Sequence, residues 1–277
     1  MSAWSDVEET ILRDSYPLVG SLGCLELLPG RSKTAIRSRA KLLKLKKQRA
    51  PNRAGLLLSD EPKAMYWLGF LLADGHFGEQ GKIKLCVSVK DAAHVLAYEK
   101  FIGGKSRSVS VNSFGQERQM LEHGVSNVAV VRELSQRYGI CSSKTKHPPL
   151  FPTGLSDDSL LALIVGFIDG DGTVKRLKGR PDSNIQIKNH SAWGEFLQHM
   201  SDFLGHYFSA HPVAVKTTSG YAVLCLSNSR VVSGLKKQLV RLGIPYMTRK
   251  WSRIDENFVS SRAEKTTRKM PQKNFTV

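Results

Sequence analysis

Two apolar runs in this chain, Trp67-Leu-Gly-Phe-Leu-Leu-Ala-Asp-Gly75 and Ile164-Val-Gly-Phe-Ile-Asp-Gly-Asp-Gly172, are near copies of each other, and each predicts a buried helix that ends on an acid. Behind each run the hydrophobic period falls to two, in Ile83-Lys-Leu-Cys-Val-Ser-Val89 and in Ile185-Gln-Ile-Lys188. That alternation predicts strands with one face on a core and the other free for polar contacts. A helical pattern returns over 91–101 and 191–203, followed by strand-like sequence at 109–111 and 120–125 in the first half and at 213–216 and 221–226 in the second. A last helix in each half closes on Tyr138-Gly-Ile140 or Leu242-Gly-Ile244. The expected fold is therefore α+β and duplicated, with helix, hairpin, helix, hairpin, helix running twice, over 63–150 and 151–262.

Within the copied runs, small residues recur four positions apart, Gly69 with Ala73 and Gly166 with Gly170. That spacing stacks them on one helical face and lets another backbone come close. If the two helices pack on each other in parallel, their terminal acids, Asp74 and Asp171, arrive side by side. Two adjacent carboxylates repel unless one protonates or a cation joins them, so the pair is a candidate divalent-metal site. Asp169 is not duplicated, because Leu72 holds the matching place and two residues turn a side chain by roughly 200° on a helix. Asp169 is expected to support its own half by capping or a local hydrogen bond.

The first fifty residues form a separate unit. Ser5-Asp-Val-Glu8 is a capping-box pattern opening a helix to about Ser15, a second helix fits 19–28, and Pro29-Gly30 turns the chain. Ser32 can cap a third helix, whose apolar stripe is Ile36, Ala40 and Leu43. Residues 1–47 read as a three-helix domain, 48–62 as a linker, and 263–277 as a basic tail.

Charge narrows the choice of partner. The formal net charge is +17 and the pI about 9.8, a balance that favours polyanions and predicts steep weakening of binding as salt rises. Residues 31–49 hold nine Lys and Arg and no acid, and Lys82, Lys84, Lys90, Arg176, Lys178, Arg180 and Lys188 lie on or beside the expected strands, where Ser88 and Gln186 add polar contacts. The four cysteines, Cys24, Cys86, Cys141 and Cys225, show no zinc spacing and read as free thiols of a reducing compartment. No run is long enough for a membrane span and the N-terminus lacks a signal-peptide pattern. An intracellular protein is expected, cytoplasmic, or nuclear or organellar in a eukaryotic source. The missing terminal His-Asn disfavours an intein.

With both acid-ended motifs and their flanking hairpins in view, residues 63–262 resemble the LAGLIDADG homing endonucleases in their single-chain, two-motif form. The resemblance implies that the motif helices join two pseudo-symmetric halves and that each half lays a saddle of antiparallel strands along the major groove of double-stranded DNA. It implies Asp74 and Asp171 as catalytic metal ligands, with the carbonyls of Ala73 and Gly170 as further ligands, Mg²⁺ as the cofactor, and cleavage of both strands with short 3′ overhangs. Chemistry agrees, since a cation held by carboxylates stabilises charge on the attacking and leaving oxygens of a phosphodiester. That family also carries a basic residue near the scissile phosphate. Here the flanking strands are uneven, Val87 against Asn189 and His123-Gly124 against Ser227-Asn228, and only Lys188 and His123 offer themselves. The N-terminal unit, with Trp4, Glu8-Glu9, Tyr16-Pro17 and Leu28-Pro-Gly-Arg-Ser32, is similar to Myb/SANT-type helix-turn-helix segments, which implies a third helix in a major groove with Arg31, Lys33, Thr34, Arg37 and Arg39 facing DNA. The alternatives are a DNA-binding transcription regulator that does not cut and an RNA-splicing maturase on the same scaffold. A monomer suffices, because the joined halves differ in sequence.

Overall fold

The computed structural model describes residues 3–47, 52–113, 115–176 and 183–255. Lys178, Arg180 and the basic tail lie outside them. The chain divides into two compact units, Met1–Pro51 and Asn52–Val277.

In the first unit, helix α1 (Asp6–Leu27) starts with the expected capping box, in which Ser5 Oγ accepts from Glu8 N–H and the Glu8 carboxylate accepts from Ser5 N–H. Two helices were expected here with a break after Ser15, but helix continues past Pro17 and bends at Gly20, which sits at φ 69°. A glycine adopts that left-handed geometry without Cβ strain, so the break falls where the backbone is free to turn. Helix α2 (Lys33–Leu42) is capped by Ser32 Oγ on Ala35 N–H. Leu12, Cys24, Leu28, Ile36 and Ala40 form the small core.

The second unit is built twice. Its first half runs α3 (Pro62–Asp74), β1 (Gly75–Gly78), β2 (Lys82–Ser88), a 3-10 turn (Val89–Asp91), α4 (Ala92–Ile102), β3 (Ser106–Ser113), β4 (Gln116–Ser126) and α5 (Val128–Tyr138). The second repeats the order with α6 (Asp157–Asp171), β5 (Gly172–Arg176), β6 (Ser183–His190), a 3-10 turn (Ser191–Trp193), α7 (Gly194–Tyr207), β7 (Lys216–Thr217), β8 (Tyr221–Leu226) and α8 (Ser229–Leu242), and adds α9 (Thr248–Trp251). Each half folds an antiparallel four-stranded sheet, β1-β2-β4-β3 and β5-β6-β8-β7. The duplicated α+β architecture expected from the hydrophobic periods is thus present.

Alternation sets which side of each sheet is open. Ile83, Leu85 and Val87 are buried while Lys82, Lys84, Cys86 and Ser88 point away, and Ile185 and Ile187 are buried while Gln186 and Lys188 point away. One contiguous core unites both halves around α3 and α6. Part of the stretch read as a linker, 48–62, is ordered against the second unit's own core. Ala54–Leu58 forms a 3-10 helix whose Ala54 and Leu57 enter this core, and Arg53 N–H bonds the Ile102 carbonyl at 2.7 Å. All four cysteines are free, and no described helix is long and apolar enough to cross a membrane.

Candidate active site beneath the paired helices

Helices α3 and α6 meet backbone to backbone. A Cβ placed on Gly69 would lie 2.0 Å from the Leu163 carbonyl oxygen, one on Gly166 would lie 1.9 Å from that of Tyr66, and one on Gly170 would lie 2.2 Å from Ala73 Cβ. These contacts run in parallel register and pair equivalent positions of the two copies. No larger residue fits this seam without moving a backbone. The small residues read from the sequence are therefore the ones that bring the helices together.

The seam delivers Asp74 and Asp171, the last residues of their helices, to one end of the pair. Asp74 is exposed at its tip and Asp171 half-buried, yet dense protein surrounds both on their other sides. Lost hydration, and then the charge of Asp171, push the Asp74 carboxyl from 3.8 up to about 6, against the pull of Lys250 and Lys144. Burial also raises Asp171, but Asn189 Nδ2 donates to its Oδ2 at 2.8 Å and opposes the shift, as do Lys144 and Lys250. The Asn189 position faces the site in the second half. Its counterpart Val87 is a core residue.

Two lysines that sequence reasoning passed over complete the arrangement. Lys144 Nζ donates to the carbonyls of Leu72 and Ala73, both at 2.7 Å, and Lys250 Nζ donates to those of Ile168 (3.1 Å), Asp169 and Gly170 (3.0 Å). Each ammonium therefore caps the C-terminal carbonyls of one motif helix, where unpaired oxygens and the helix dipole favour a cation. Burial lowers both lysines, opposed at Lys144 by Asp171 and Asp74 and at Lys250 first by Asp169 and then by Asp74 and Asp171. The one signal in the sequence is that Lys144 and Lys250 each follow a helix stop, Gly139-Ile140 and Gly243-Ile244.

These lysines form a matched basic pair at the two helix ends, whereas the two residues suggested by the strands lie elsewhere. His123 is fully buried, with Nε2 2.8 Å from the Gly103 carbonyl and its ring edge-on to Tyr98. Lys188 stands on the open sheet face with its ammonium 4.0 Å from the centre of the Tyr221 ring.

Asp169 does more than cap its own half. Its carboxylate accepts from Met247 N–H (2.9 Å), Trp251 Nε1 (2.7 Å) and, across the seam, the Tyr66 hydroxyl (2.7 Å). Since Tyr66 spends its proton there, His94 Nε2, 2.7 Å away, donates to the hydroxyl oxygen. Burial holds His94 down to about 4 and therefore neutral.

The donor set fits a hard divalent cation. The site offers two carboxylates with partly compensated charge, and among the described residues no group of three or more His, Cys, Asp and Glu gathers as a zinc nest would. Mg²⁺ uses one or two carboxylates and takes its other oxygens from water and phosphate. The carbonyls of Ala73 and Gly170 each already accept from an ammonium, so a cation there would share or displace a lysine.

The remaining residues expected to face DNA fall into distinct places. Lys82 and Lys84 line a cleft of about 320 Å³ with Asp74, His76 and Cys86. Lys84 also pairs with Glu122 at 2.5 Å, and Gln186 accepts from Lys175 at 3.1 Å. Ser88 caps the 3-10 turn, Lys90 is exposed on that turn and off the sheet face, and Arg176 is exposed at the end of β5. In the N-terminal unit Thr34 and Arg37 are exposed and Lys33 is half-buried. Two of the expected contacts there are committed inward. Arg31 grips Glu8 at 2.7 and 2.8 Å, bonds the Ala3 carbonyl and lies over Trp4, and this pairing pulls Glu8 down to about 2. Arg39 is salt-bridged to Glu9.

No protein-family model matches this chain, and no curated protein matches it. Solved structures similar to it include the homing endonuclease I-WcaI bound to its DNA recognition sequence (12% identity, 70% of this chain and 87% of that one, TM-score 0.48). Another is the LAGLIDADG homing endonuclease I-GzeII in complex with a DNA target (9% identity, 77% and 99%, TM-score 0.42). A third is I-SmaMI bound to uncleaved DNA with calcium ions (12% identity, 75% and 96%, TM-score 0.43). The likeness is distant, and what the site can do is read from its own geometry.

Proposed function

We propose that this chain is a site-specific endonuclease of the homing type that cuts both strands of double-stranded DNA with Mg²⁺. The observation that carries the reading is the meeting of Asp74 and Asp171 under a glycine-packed seam, between two sheets whose open faces carry Lys82, Lys84, Gln186 and Lys188. A bound cation would supply charge stabilisation and a water of lowered pKa. The chain's own groups do the rest. Asp74 and Asp171 hold negative charge beside the backbone phosphates and accept hydrogen bonds from water in that space. Lys144 and Lys250 place positive charge where a phosphate's oxygens gain negative charge in the transition state, a stabilisation that is strongest in a fixed, poorly hydrated site. The open sheet faces supply phosphate and base contacts, and the exposed Thr34 and Arg37 of α2 extend the footprint. One chain contributes both centres, so a monomer acts alone.

A non-cutting regulator has no use for two partly desolvated like charges set side by side, a cost that Lys144, Lys250 and Asn189 offset only in part. The test is selection of cleaved sequences from a randomised duplex library with Mg²⁺ and, separately, Ca²⁺. On a selected site, Asp74→Asn and Asp171→Asn should each slow double-strand cleavage by about a thousandfold, the equivalent of several kcal/mol, while duplex binding persists. Specific binding without cleavage by the unaltered chain, or unimpaired cleavage by both variants, would reject the proposal.

A further inference from the structure

Each of the lysines that cap the motif helices has a chain neighbour fastened to the opposite half. Lys250 belongs to α9, and the residue before it, Arg249, forms a two-pronged ion pair with Asp91 of the first half, Nε to Oδ1 at 3.0 Å and Nη2 to Oδ2 at 2.9 Å. Lys144 belongs to the first half, and the carbonyl of the residue after it, Thr145, accepts from Trp193 Nε1 of the second half at 3.2 Å. Asp91 and Trp193 are equivalent residues. Each ends the 3-10 turn that follows the second strand of its sheet and opens the next helix. Chemically they have nothing in common, an exposed ion pair on one side and a buried indole on the other, yet both reach across to the same kind of target. The crossing is reinforced on the Lys250 side by Tyr66, whose hydroxyl meets Asp169 beneath α9.

We infer that Asp91 and Trp193 are positioning residues acting in trans: Asp91 of the first half seats Lys250 through Arg249, and Trp193 of the second half seats Lys144 through Thr145. Neither touches the reacting atoms. Each sets how firmly an ammonium is held on a helix terminus, and each centre is therefore complete only when the opposite half is docked. The assignment of a rate to these lysines rests on the endonuclease reading, but the seating itself does not.

The experiment has two arms on the full chain. In the first, amine-specific reductive methylation followed by peptide mass spectrometry reads how often each lysine leaves its carbonyls. Asp91→Ala should raise modification of Lys250 about two- to fivefold, the range an exposed ion pair commands, and leave Lys144 unchanged. Trp193→Phe, which removes the N–H donor and leaves a smaller aromatic ring in the core, should raise Lys144 by about two- to tenfold, as expected for a neutral hydrogen bond, and leave Lys250 unchanged, whereas loosening from the smaller ring alone would raise both. The reversed pair Asp91→Arg with Arg249→Asp should return Lys250 to its wild-type rate, a rescue that general loosening of the fold would not give. In the second arm, strand-resolved cleavage should show Asp91→Ala slowing the same strand as Lys250→Met, and Trp193→Phe slowing the same strand as Lys144→Met. Equal effects on both lysines, no effect on either, or the opposite strand pairing would overturn the inference. A wild-type chain that cuts no duplex would remove the endonuclease reading, and the labelling arm would then decide the seating alone.

Discussion

The two halves of the second unit are alike where the helices touch and unlike where the helices end. Along the seam, Gly69 against Leu163 and Gly166 against Tyr66 make nearly the same approach, 2.0 and 1.9 Å for an added Cβ. At the ends, Asp171 has Asn189 to donate to it while the matching Val87 can donate nothing, and Asp169 ties three donors together where the first half has only buried Leu72. The difference separates two kinds of constraint. Backbone contact admits one solution, and both copies keep it. Polar support around a carboxylate admits several, and the copies have taken different ones.

The largest effect should come from breaking what is symmetric. Gly69→Val and Gly166→Val each drive a branched side chain into a carbonyl that cannot yield, and each should cost about 3 kcal/mol or more. Thermal unfolding followed by circular dichroism should show equal losses for the two. A mild effect of either would mean that the seam can be repacked from one side.

Next in size is the asymmetric Asp169. Asp169→Leu, which gives the second half the residue of the first, strands Met247 N–H and Trp251 Nε1 in the core, leaves the Tyr66 hydroxyl with His94 as its one partner, and should cost about 2–4 kcal/mol. Trp251 is an internal reporter, and its fluorescence should shift as the indole loses its acceptor. Leu72→Asp should be at least as costly, because no such donors await a carboxylate there. If it were neutral, the first half would hold unrecognised polar support.

The smallest effect sharpens the comparison of the centres. Asp74, at about 6 when folded against 3.8 unfolded, and Asp171, raised as well, hold their protons more tightly in the folded state. Their contribution to the stability of the metal-free chain should therefore fall as pH rises from about 4 to 6, opposite in sign to that of His94, and is read as the difference in pH dependence between the wild-type chain and Asp74→Asn. Asn189→Leu removes the hydrogen bond that opposes the shift at Asp171, and NMR titration should find that carboxyl moved upward by more than any change at Asp74, which feels Asp171 only through its charge. An unchanged Asp171 would show that Asn189 positions the group without tuning it.

Much of this was legible in the sequence, for identifiable reasons. Small residues four apart, and strands with strict alternation, are local signals, and they located Gly69, Gly166, the two terminal aspartates and the open faces of β2 and β6. Lys144 and Lys250 were illegible because one lies on an irregular segment and the other on the single-turn helix α9, where no period reports facing and only tertiary packing brings an ammonium to a helix end. Arg31 and Arg39 show the opposite failure. A basic run announces charge, but Arg31 finds Glu8 a full helix earlier in the chain, and side chains so engaged are structural whatever their sign. The break of α1 came later than expected because Pro17 is tolerated within it while Gly20 is what bends.

The glycine seam also bears on how such a molecule can change over generations. Contact through main-chain atoms is indifferent to side-chain identity elsewhere, so halves from different ancestors could be spliced together and still shut along the same line. What would not travel with a borrowed half are the specific latches, Asp91 with Arg249, Trp193 with Thr145 and Tyr66 with Asp169. A chimera should close readily and work badly until those latches are recreated.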